Sequence, residues 1–165
     1  MTSRSRIIDA AKLTSPRVEQ FHRYWRSKCA DGALPPRAAI EPTEIPRLLP
    51  FLVMSEIEPR PLRIRYRLVG TRAVDSNGSD FTNRYLDECN FAVERLLVSC
   101  YRRLVETRAP VFAYYEWLKT DWGDRPGAVG ANESGFFPLS SDGTVVDFAI
   151  GIADSEVRPY PSGAL

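Results

Sequence analysis

The clearest pattern along the chain is a strict alternation of hydrophobic and polar positions over residues 62–68, LRIRYRL. Side chains alternate across a β-sheet, so this pattern predicts a strand with its leucines, isoleucine and tyrosine toward the core and its arginines on the other face. Residues 51–58, FLVMSEIE, predict a partner strand, and the intervening Pro-Arg-Pro supplies the turn between them. β-Favouring composition and alternation predict further strands at 111–118, 135–139 and 145–152.

Hydrophobic residues at helical spacing predict two longer helices. Ser15 can cap the free amides at a helix start and Pro16 fits the first helical position, so a helix is expected from there to about Cys29. This helix carries an apolar stripe formed by Val18, Phe21, Tyr24 and Trp25. Residues 91–108 repeat apolar positions at steps of three and four, which predicts the best-formed helix of the chain.

Turn-forming residues fill the segments between these elements. Five prolines between residues 35 and 50 exclude a long helix or a central strand there. Residues 71–90 are rich in Asn, Asp, Gly and Ser and predict short helical turns, while residues 119–134 predict a loop. The order of the elements predicts an α+β fold, with helices packed on one face of a five-stranded antiparallel sheet.

The charge balance argues against a nucleic-acid partner. Lys and Arg total 22 and Asp and Glu total 21, so no overall field draws the protein to nucleic acid or to an anionic membrane. We find no apolar stretch long enough to span a bilayer and no secretion signal, and three cysteines without metal-site spacing fit reduced thiols. The expected compartment is the cytoplasm.

Five segments carry a recognisable family pattern: YWRS at 24–27, IEPTEIPRLLPFLVMSEIE at 40–58, RYRLVGT at 65–71, GSDFTNRYLDE at 78–88 and PLSSDGTVVDFAIGI at 138–152. They resemble the PAS superfamily, and more closely the single-domain PAS proteins of alphaproteobacteria. The resemblance covers roughly residues 16–155. Asn83 stands where such relatives often carry glycine, and asparagine also tolerates the left-handed conformation of a turn.

The resemblance implies a PAS fold preceded by an amphipathic helix. We therefore expect an N-terminal extension at residues 1–34, a PAS domain at 35–155 and a flexible tail at 156–165. It also implies that residues 71–90 form the short helices that wall a PAS pocket. Such walls are drawn from the less stable parts of a fold, because they must open or adapt.

The cofactors of known PAS sensors find little support in the chain. A haem-binding relative would be expected to offer a histidine near the long helix, whereas His22 lies on the N-terminal helix. Flavin-binding light sensors carry a cysteine in a motif resembling Asn-Cys-Arg-Phe-Leu-Gln, where this chain has DECNFA around Cys89. Haem and a flavin–cysteine photoadduct are therefore not expected, and the identity of any cofactor stays open.

Catalytic chemistry is not expected either. Neither a strained nucleophile turn nor a phosphate-binding loop is present in the sequence. Acidic residues cluster near the loop at 119–134, and we expect them to be solvated: Glu116, Asp121, Asp124 and Glu133. An enzyme that uses the same cavity is the least favoured alternative.

A pocket for a small apolar or aromatic ligand is expected between the sheet and the helices. Its candidate residues are Tyr66, Leu68, Val74, Phe81, Tyr85, Leu97, Tyr101, Phe148 and Ile150. The alternative is that these side chains form an ordinary filled core. Buried tyrosines favour a ligand, because each phenol needs a hydrogen-bond partner.

Two surfaces could bind other proteins. The stripe of Val18, Phe21, Tyr24 and Trp25 could form a homodimer interface, or it could fold back onto its own sheet. Arginines at 60, 63, 65, 67 and 72 could receive an acidic partner or an anionic messenger, although such a row is usually solvated. We therefore expect a cytoplasmic sensor that binds a small ligand, a separate signalling protein, or both. A ligand-free interaction adaptor is the alternative.

Overall fold

One antiparallel sheet organises the protein, in the computed structural model that describes residues 4–118 and 129–159. Its spatial strand order is β1-β4-β5-β6-β2-β3. The strands are β1 Ser5–Ile8, β2 Leu52–Pro59, β3 Leu62–Val69, β4 Val111–Leu118, β5 Val129–Leu139 and β6 Phe148–Asp154. The described helices are α1 Pro16–Lys28, α2 Thr71–Asn77 and α3 Glu94–Thr107, joined by short 3-10 turns. The predicted α+β class is confirmed, with six strands instead of five.

The local signals at the start of α1 act as the sequence predicts. The Ser15 hydroxyl accepts a hydrogen bond from the amide of Val18 at 3.2 Å, and Pro16 occupies the first turn. The predicted long helix is α3, whose start at Glu94 lies three residues after the predicted one. Described residues contain no helix that is long and apolar enough to cross a membrane.

Helices cover both faces of the sheet, as the neighbours of Phe136 and Phe137 on β5 show. Phe136 stacks edge-on against Tyr101 of α3, with ring centroids 5.3 Å apart. Phe137 stacks against Phe21 of α1, with centroids 5.0 Å apart. Because consecutive strand residues point in opposite directions, α3 lies on one face of the sheet, here named the inner face, and α1 lies on the outer face.

The apolar stripe of α1 is buried against its own sheet. Val18 and Phe21 have 0% exposure and Trp25 has 7%, and the Trp25 indole donates a hydrogen bond to the Pro138 carbonyl at 3.0 Å. A Cβ atom at Gly135 would lie 3.1 Å from Val18 and 2.7 Å from the Phe137 ring, so α1 packs closely there. Of the two alternatives for the stripe, the structure shows the intramolecular one.

Tyr24, the fourth residue of the predicted interface, is also engaged within the chain. Its hydroxyl donates to Glu44 at 2.6 Å and accepts from the amide of Glu41 at 2.8 Å. The proline-rich connector is thereby attached to α1. All four residues thus make contacts inside one chain, and a homodimer through them stays a prediction.

Two buried carboxylates hold the start of α1 on the outer face. Glu133 on β5 and Asp154 on β6 are register partners, with 0% and 2% exposure. Glu133 accepts hydrogen bonds from the amides of Thr14 at 2.9 Å and Ser15 at 2.7 Å. Asp154 accepts from the Ser15 hydroxyl at 2.5 Å and from Arg17 at 3.1 Å. The expectation that Glu133 is solvated is therefore wrong, because the chain before α1 covers it.

A β-bulge breaks the alternation of β3. Met54 pairs with Leu68 and Ser55 pairs with Tyr66, which leaves Arg67 as an extra residue between them. The extra residue reverses the direction of the side chains that follow. Tyr66 stays buried at 3% exposure, whereas Leu68 is 51% exposed. The prediction that Leu68 points into the core is corrected for this reason.

The sheet extends beyond the predicted strands at two places. The unpredicted β1 pairs with β4 at one edge, from Ser5 opposite Tyr115 to Ile8 opposite Phe112. In addition, β5 begins at Val129, within the segment 119–134 that was predicted as a loop. The chain before residue 35 thus contributes a strand and a helix to the sheet packing, and the predicted division at 34/35 stays a prediction.

Candidate ligand cavity

A cavity of about 440 Å³ lies between the inner face of the sheet and the helices α2 and α3. All six strands contribute to its lining, with Ser5, Val53, Tyr66, Tyr115, Phe136 and Gly151 among the residues. Ala73, Ser76 and Asn77 of α2 and Leu97 and Tyr101 of α3 close the opposite wall. This volume is within the range of roughly 300–1,000 Å³ that small-molecule sites occupy.

One end of the cavity is aromatic. Tyr66, Phe81 and Phe91 meet edge to face, with centroid separations of 4.7 Å between Tyr66 and Phe81 and 5.1 Å between Phe81 and Phe91. The stacked pair of Tyr101 and Phe136 continues this surface. Edge-to-face rings hold one another in place, so this end presents a preformed surface to a flat apolar group.

The phenols of the aromatic end are joined in a buried hydrogen-bond chain. The hydroxyls of Ser55 and Tyr101 lie 2.8 Å apart, and the Tyr66 hydroxyl bonds to Tyr101. Burial raises the pKa of Tyr66 and of Tyr101 well above the ordinary phenol value, and it raises the pKa of Tyr115 to about 12. All three phenols are therefore neutral near pH 7 and can donate hydrogen bonds.

These shifts predict how the protein responds to alkaline pH. An unfolded phenol ionises near about pH 10, so stability from the buried phenols is complete below that pH and is lost as pH rises through their raised pKa values. We expect the 295 nm absorbance of Tyr66, Tyr101 and Tyr115 to increase only together with loss of the far-UV circular dichroism. In guanidinium, the seven tyrosines should titrate together near about pH 10. Seven phenols that ionise near that pH in the folded protein would contradict the burial argument.

The other end of the cavity is polar. Tyr115 on β4 pairs with Ser5 on β1 and with Asn132 on β5, and all three line the cavity. The Asn132 amide donates to the Ser134 hydroxyl at 2.6 Å, which holds both side chains in place. Ser155, just after β6, also lines this end. The cavity therefore offers amide and hydroxyl groups at one end and rings at the other.

The residues after β6 connect the cavity wall to α1. The Ser155 hydroxyl lies 2.7 Å from that of Ser76 on α2. Glu156 forms ion pairs with Arg17 of α1 at 2.8 Å and with Arg72 of α2 at 4.0 Å. Since α2 is seven residues long and buries Ala73 alone among its residues, these contacts attach a lightly packed wall to the rest of the structure.

Four of the nine predicted pocket residues line the cavity: Tyr66, Phe81, Leu97 and Tyr101. Their positions follow from the alternation before the bulge and from the helical period of α3. Phe81, on the turns after α2, completes the group. The expected apolar and aromatic surface is therefore present, although its outline differs from the predicted one.

The other five predicted residues lie elsewhere. Leu68 is exposed after the bulge, and Val74 of α2 is half-buried outside the lining. Tyr85 lies beneath the Arg63 guanidinium, 3.5 Å from its ring centroid. Ile150 belongs to the outer face, since its register partner Phe137 packs on α1, and Phe148 lies two residues earlier on the same face.

The choice of faces on β6 explains the error at Phe148 and Ile150. Large residues alternate with small ones along this strand, FAIGIAD, and the large ones pack against α1 and the connector. The small residues Gly151 and Ala153 face inward and leave room for the cavity. Because both faces of β6 are covered, hydrophobicity could not show which set faces the cavity.

Several cavity residues were not predicted from the sequence. Three of them are aromatic residues within predicted elements: Phe91, Tyr115 and Phe136. The sequence shows that these side chains are aromatic, but it does not show toward which face they point. Asn132 and Ser134 fall in the segment predicted as a loop. No local signal marks them as cavity residues, since their burial depends on strands far away in the sequence.

Three of the five arginines in the stripe, Arg63, Arg67 and Arg72, form ion pairs with carboxylates. Arg63 lies 3.6 Å from Asp87 and 3.7 Å from Glu88, and Arg67 lies 3.7 Å from Glu56. Such exposed pairs stabilise a fold by about 0–1 kcal/mol each. The pairing supports the interpretation of the stripe as an ordinary solvated face.

The residues considered for cofactors also lie away from the cavity lining. His22 packs on the outer face against Phe112 and Phe137, where burial lowers the pKa of its imidazole. The Cys89 thiol donates to the Tyr85 carbonyl at 3.1 Å, and burial raises its pKa. Within the described residues, no group of three or more His, Cys, Asp or Glu side chains could hold a metal ion.

Comparison with known proteins identifies the family of the chain. A solved structure of an RNA-binding light-oxygen-voltage receptor is similar at 14% identity and a TM-score of 0.49, over 93% of this chain and 39% of that one. The present chain thus spans well under half the length of that receptor chain. No curated protein matches the sequence. The family model described as a PAS domain matches residues 13–120, a region that includes α1, and the chain therefore belongs to the PAS-domain family.

Proposed function

We propose that this protein is a cytoplasmic PAS sensor that binds a small molecule in the inner-face cavity. The observation that carries the proposal is the 440 Å³ cavity itself, bounded by rings at one end and by hydrogen-bonding groups at the other. Small-molecule sites are clefts or cavities of this size, lined by apolar and aromatic side chains with a few polar groups, which is the composition of this wall.

The composition of the cavity wall supports a binding site over a filled core. Small residues line the cavity on three elements: Gly151 and Ala153 on β6, Ala73 on α2 and Ala92 before α3. An added Cβ at Gly151 would meet no atom closer than 3.5 Å. A Cβ atom therefore fits at Gly151 in ordinary van der Waals contact, yet the chain places glycine there.

The contacts after β6 suggest how occupancy reaches other proteins. A ligand that moves α2 would act on the Ser76–Ser155 hydrogen bond and on the Arg72–Glu156 pair. Glu156 also binds Arg17, so the same movement bears on the start of α1. We propose that this change alters the contacts of the sensor with a separate signalling protein or with a second copy of the chain.

A cavity-filling variant provides the test. Gly151→Leu places a side chain into the space beside Val53 and Phe136, and Gly151→Ala is the matched control that leaves most of the space open. We expect mass spectrometry of the purified protein, before and after denaturation, to detect a released small molecule with the natural chain and with Gly151→Ala. Gly151→Leu should carry none.

A thermal shift adds a quantitative measure. A ligand supplied at 100 times its Kd stabilises the folded state by about 2.7 kcal/mol, which corresponds to a Tm increase of roughly 5–10 °C for a domain of this size. The increase should be absent in Gly151→Leu. Equal behaviour of Gly151→Leu and the natural chain in both measurements would favour a ligand-free adaptor, and turnover of the bound molecule would indicate an enzyme.

A further inference from the structure

The inner face of β5 changes from polar to aromatic along its length. Asn132, Ser134 and Phe136 are alternate residues of the strand and all line the cavity. With a rise of about 3.3 Å per residue, the Cα atoms of Asn132 and Phe136 are separated by roughly 13 Å along the strand. A ligand that spans the cavity therefore meets hydrogen-bonding groups at one end and rings at the other.

The polar end consists of neutral groups held in fixed positions. Asn132 and Ser134 are 2% and 7% exposed and bond to each other. The Tyr115 phenol beside them is neutral at pH 7, since burial raises its pKa to about 12. An amide and hydroxyls can donate to and accept from an uncharged polar group.

Among the described residues that border the cavity, Glu116 is the one with a charged side chain. Its carboxylate accepts a hydrogen bond from the Tyr114 hydroxyl at 2.6 Å. Tyr114 and Glu116 are alternate residues on β4, and Tyr115 between them faces the cavity. The carboxylate therefore points to the outer face, and the described side chains that face inward are neutral.

Burial of a charged head group among neutral side chains is unfavourable, because its hydration is lost without an opposite charge in exchange. We propose that the ligand is an uncharged ring compound with one hydrogen-bonding head group. Its ring lies among Phe81, Phe91 and Phe136, and its head meets Asn132 and Ser134. This inference rests on the proposed function, since it describes the ligand of the same cavity.

Two nearly isosteric probes test the proposal. 2-Naphthamide carries an uncharged amide head and 2-naphthoate carries a carboxylate that is ionised at pH 7.5. Isothermal titration calorimetry with the full chain, freed of any bound molecule, should give a Kd for 2-naphthamide at least tenfold lower than that for 2-naphthoate. Gly151→Leu should weaken binding of 2-naphthamide at least tenfold, because the cavity is filled.

The head-group position is tested by two variants. Asn132→Leu keeps the size of the side chain and removes its amide, and Ser134→Ala removes one hydroxyl. Either change should raise the Kd for 2-naphthamide about fivefold or more, while circular dichroism and Tm report whether the fold is kept. Retained affinity in both folded variants would overturn the assignment of the head group to this end.

The outcomes separate the two proposals. Binding of 2-naphthoate as tight as that of 2-naphthamide, and lost in Gly151→Leu, would overturn the inference about charge and leave the ligand cavity standing. Binding of neither probe, together with no molecule released from the purified natural chain, would overturn both. Tighter binding of the amide that depends on Asn132 or Ser134 supports both.

Discussion

Gly70→Ala is expected to lower the free energy of unfolding by about 3 kcal/mol, at the upper end of what overpacking costs. Gly70 connects β3 to α2, and its amide donates to the Leu52 carbonyl at 2.7 Å. A Cβ there would lie 2.4 Å from the Pro50 carbonyl oxygen and 2.6 Å from that of Leu49. Backbone atoms cannot rotate away as side chains do, so the connection must shift and lose its hydrogen bond. Urea denaturation followed by circular dichroism measures the change.

Gly151→Ala is the matched control for this experiment. Its added Cβ would have its nearest neighbours at 3.5 Å and 3.6 Å, which is ordinary contact. At a compatible site, replacement of glycine by alanine stabilises a protein by about 0.4–1 kcal/mol through the unfolded state. Equal losses at Gly70 and Gly151 would show that the close backbone approach is not the cause.

Phe21→Ala should destabilise the protein by about 3–5 kcal/mol, the cost of removing a fully buried phenyl ring. Phe21 has 0% exposure and lies between Tyr24 and Phe137, at centroid distances of 5.8 Å and 5.0 Å. The same denaturation assay applies. Gln20→Ala, an exposed position on α1, is the control and should change stability by no more than about 0.5 kcal/mol.

A small effect of Phe21→Ala would have a specific meaning. If the loss were under about 1 kcal/mol with a large fall in oligomeric size, the α1 stripe would contribute to association and not to the folding of one chain. Size-exclusion chromatography of the variant at several concentrations distinguishes the two cases. We expect an unchanged size together with the large loss of stability.

Much of the framework could be predicted because its signals are local. Ser15 caps α1 and Pro16 occupies its first turn, so the residues of a single turn determine where this helix begins. The hairpin of β2 and β3 follows from alternation and a short turn. The aromatic end of the cavity could be predicted in part, because Tyr66 lies before the bulge and its side chain keeps the direction that the alternation predicts.

The polar strand Asn132-Glu133-Ser134 shows why the rest could not be predicted. Isolated from the fold, these residues have the composition of a solvated loop. Their burial depends on partners more than a hundred residues away, because Glu133 is covered by the amides of Thr14 and Ser15. Hydrogen bonds of that kind are visible only after the sheet has formed.

The bulge at Arg67 is a second case. A single extra residue on β3 exposes Leu68, and its presence is decided by how β2 pairs with β3. Nothing in LRIRYRL distinguishes a regular strand from a bulged one. A period-2 pattern predicts that a strand exists more safely than it predicts the direction of each side chain.

The edge strand β1 has a practical consequence for work with shortened forms of the protein. The family match begins at residue 13, after β1 has ended at Ile8. A chain cut to that boundary would leave the β4 edge, with its aromatic residues Phe112, Tyr114 and Tyr115, without its antiparallel neighbour. Uncovered strand edges pair with other chains, so such a fragment is expected to self-associate more readily than the longer chain, which covers this edge with β1. By pairing with β4, the residues from Ser5 to Ile8 keep its backbone amides and carbonyls from pairing with another chain.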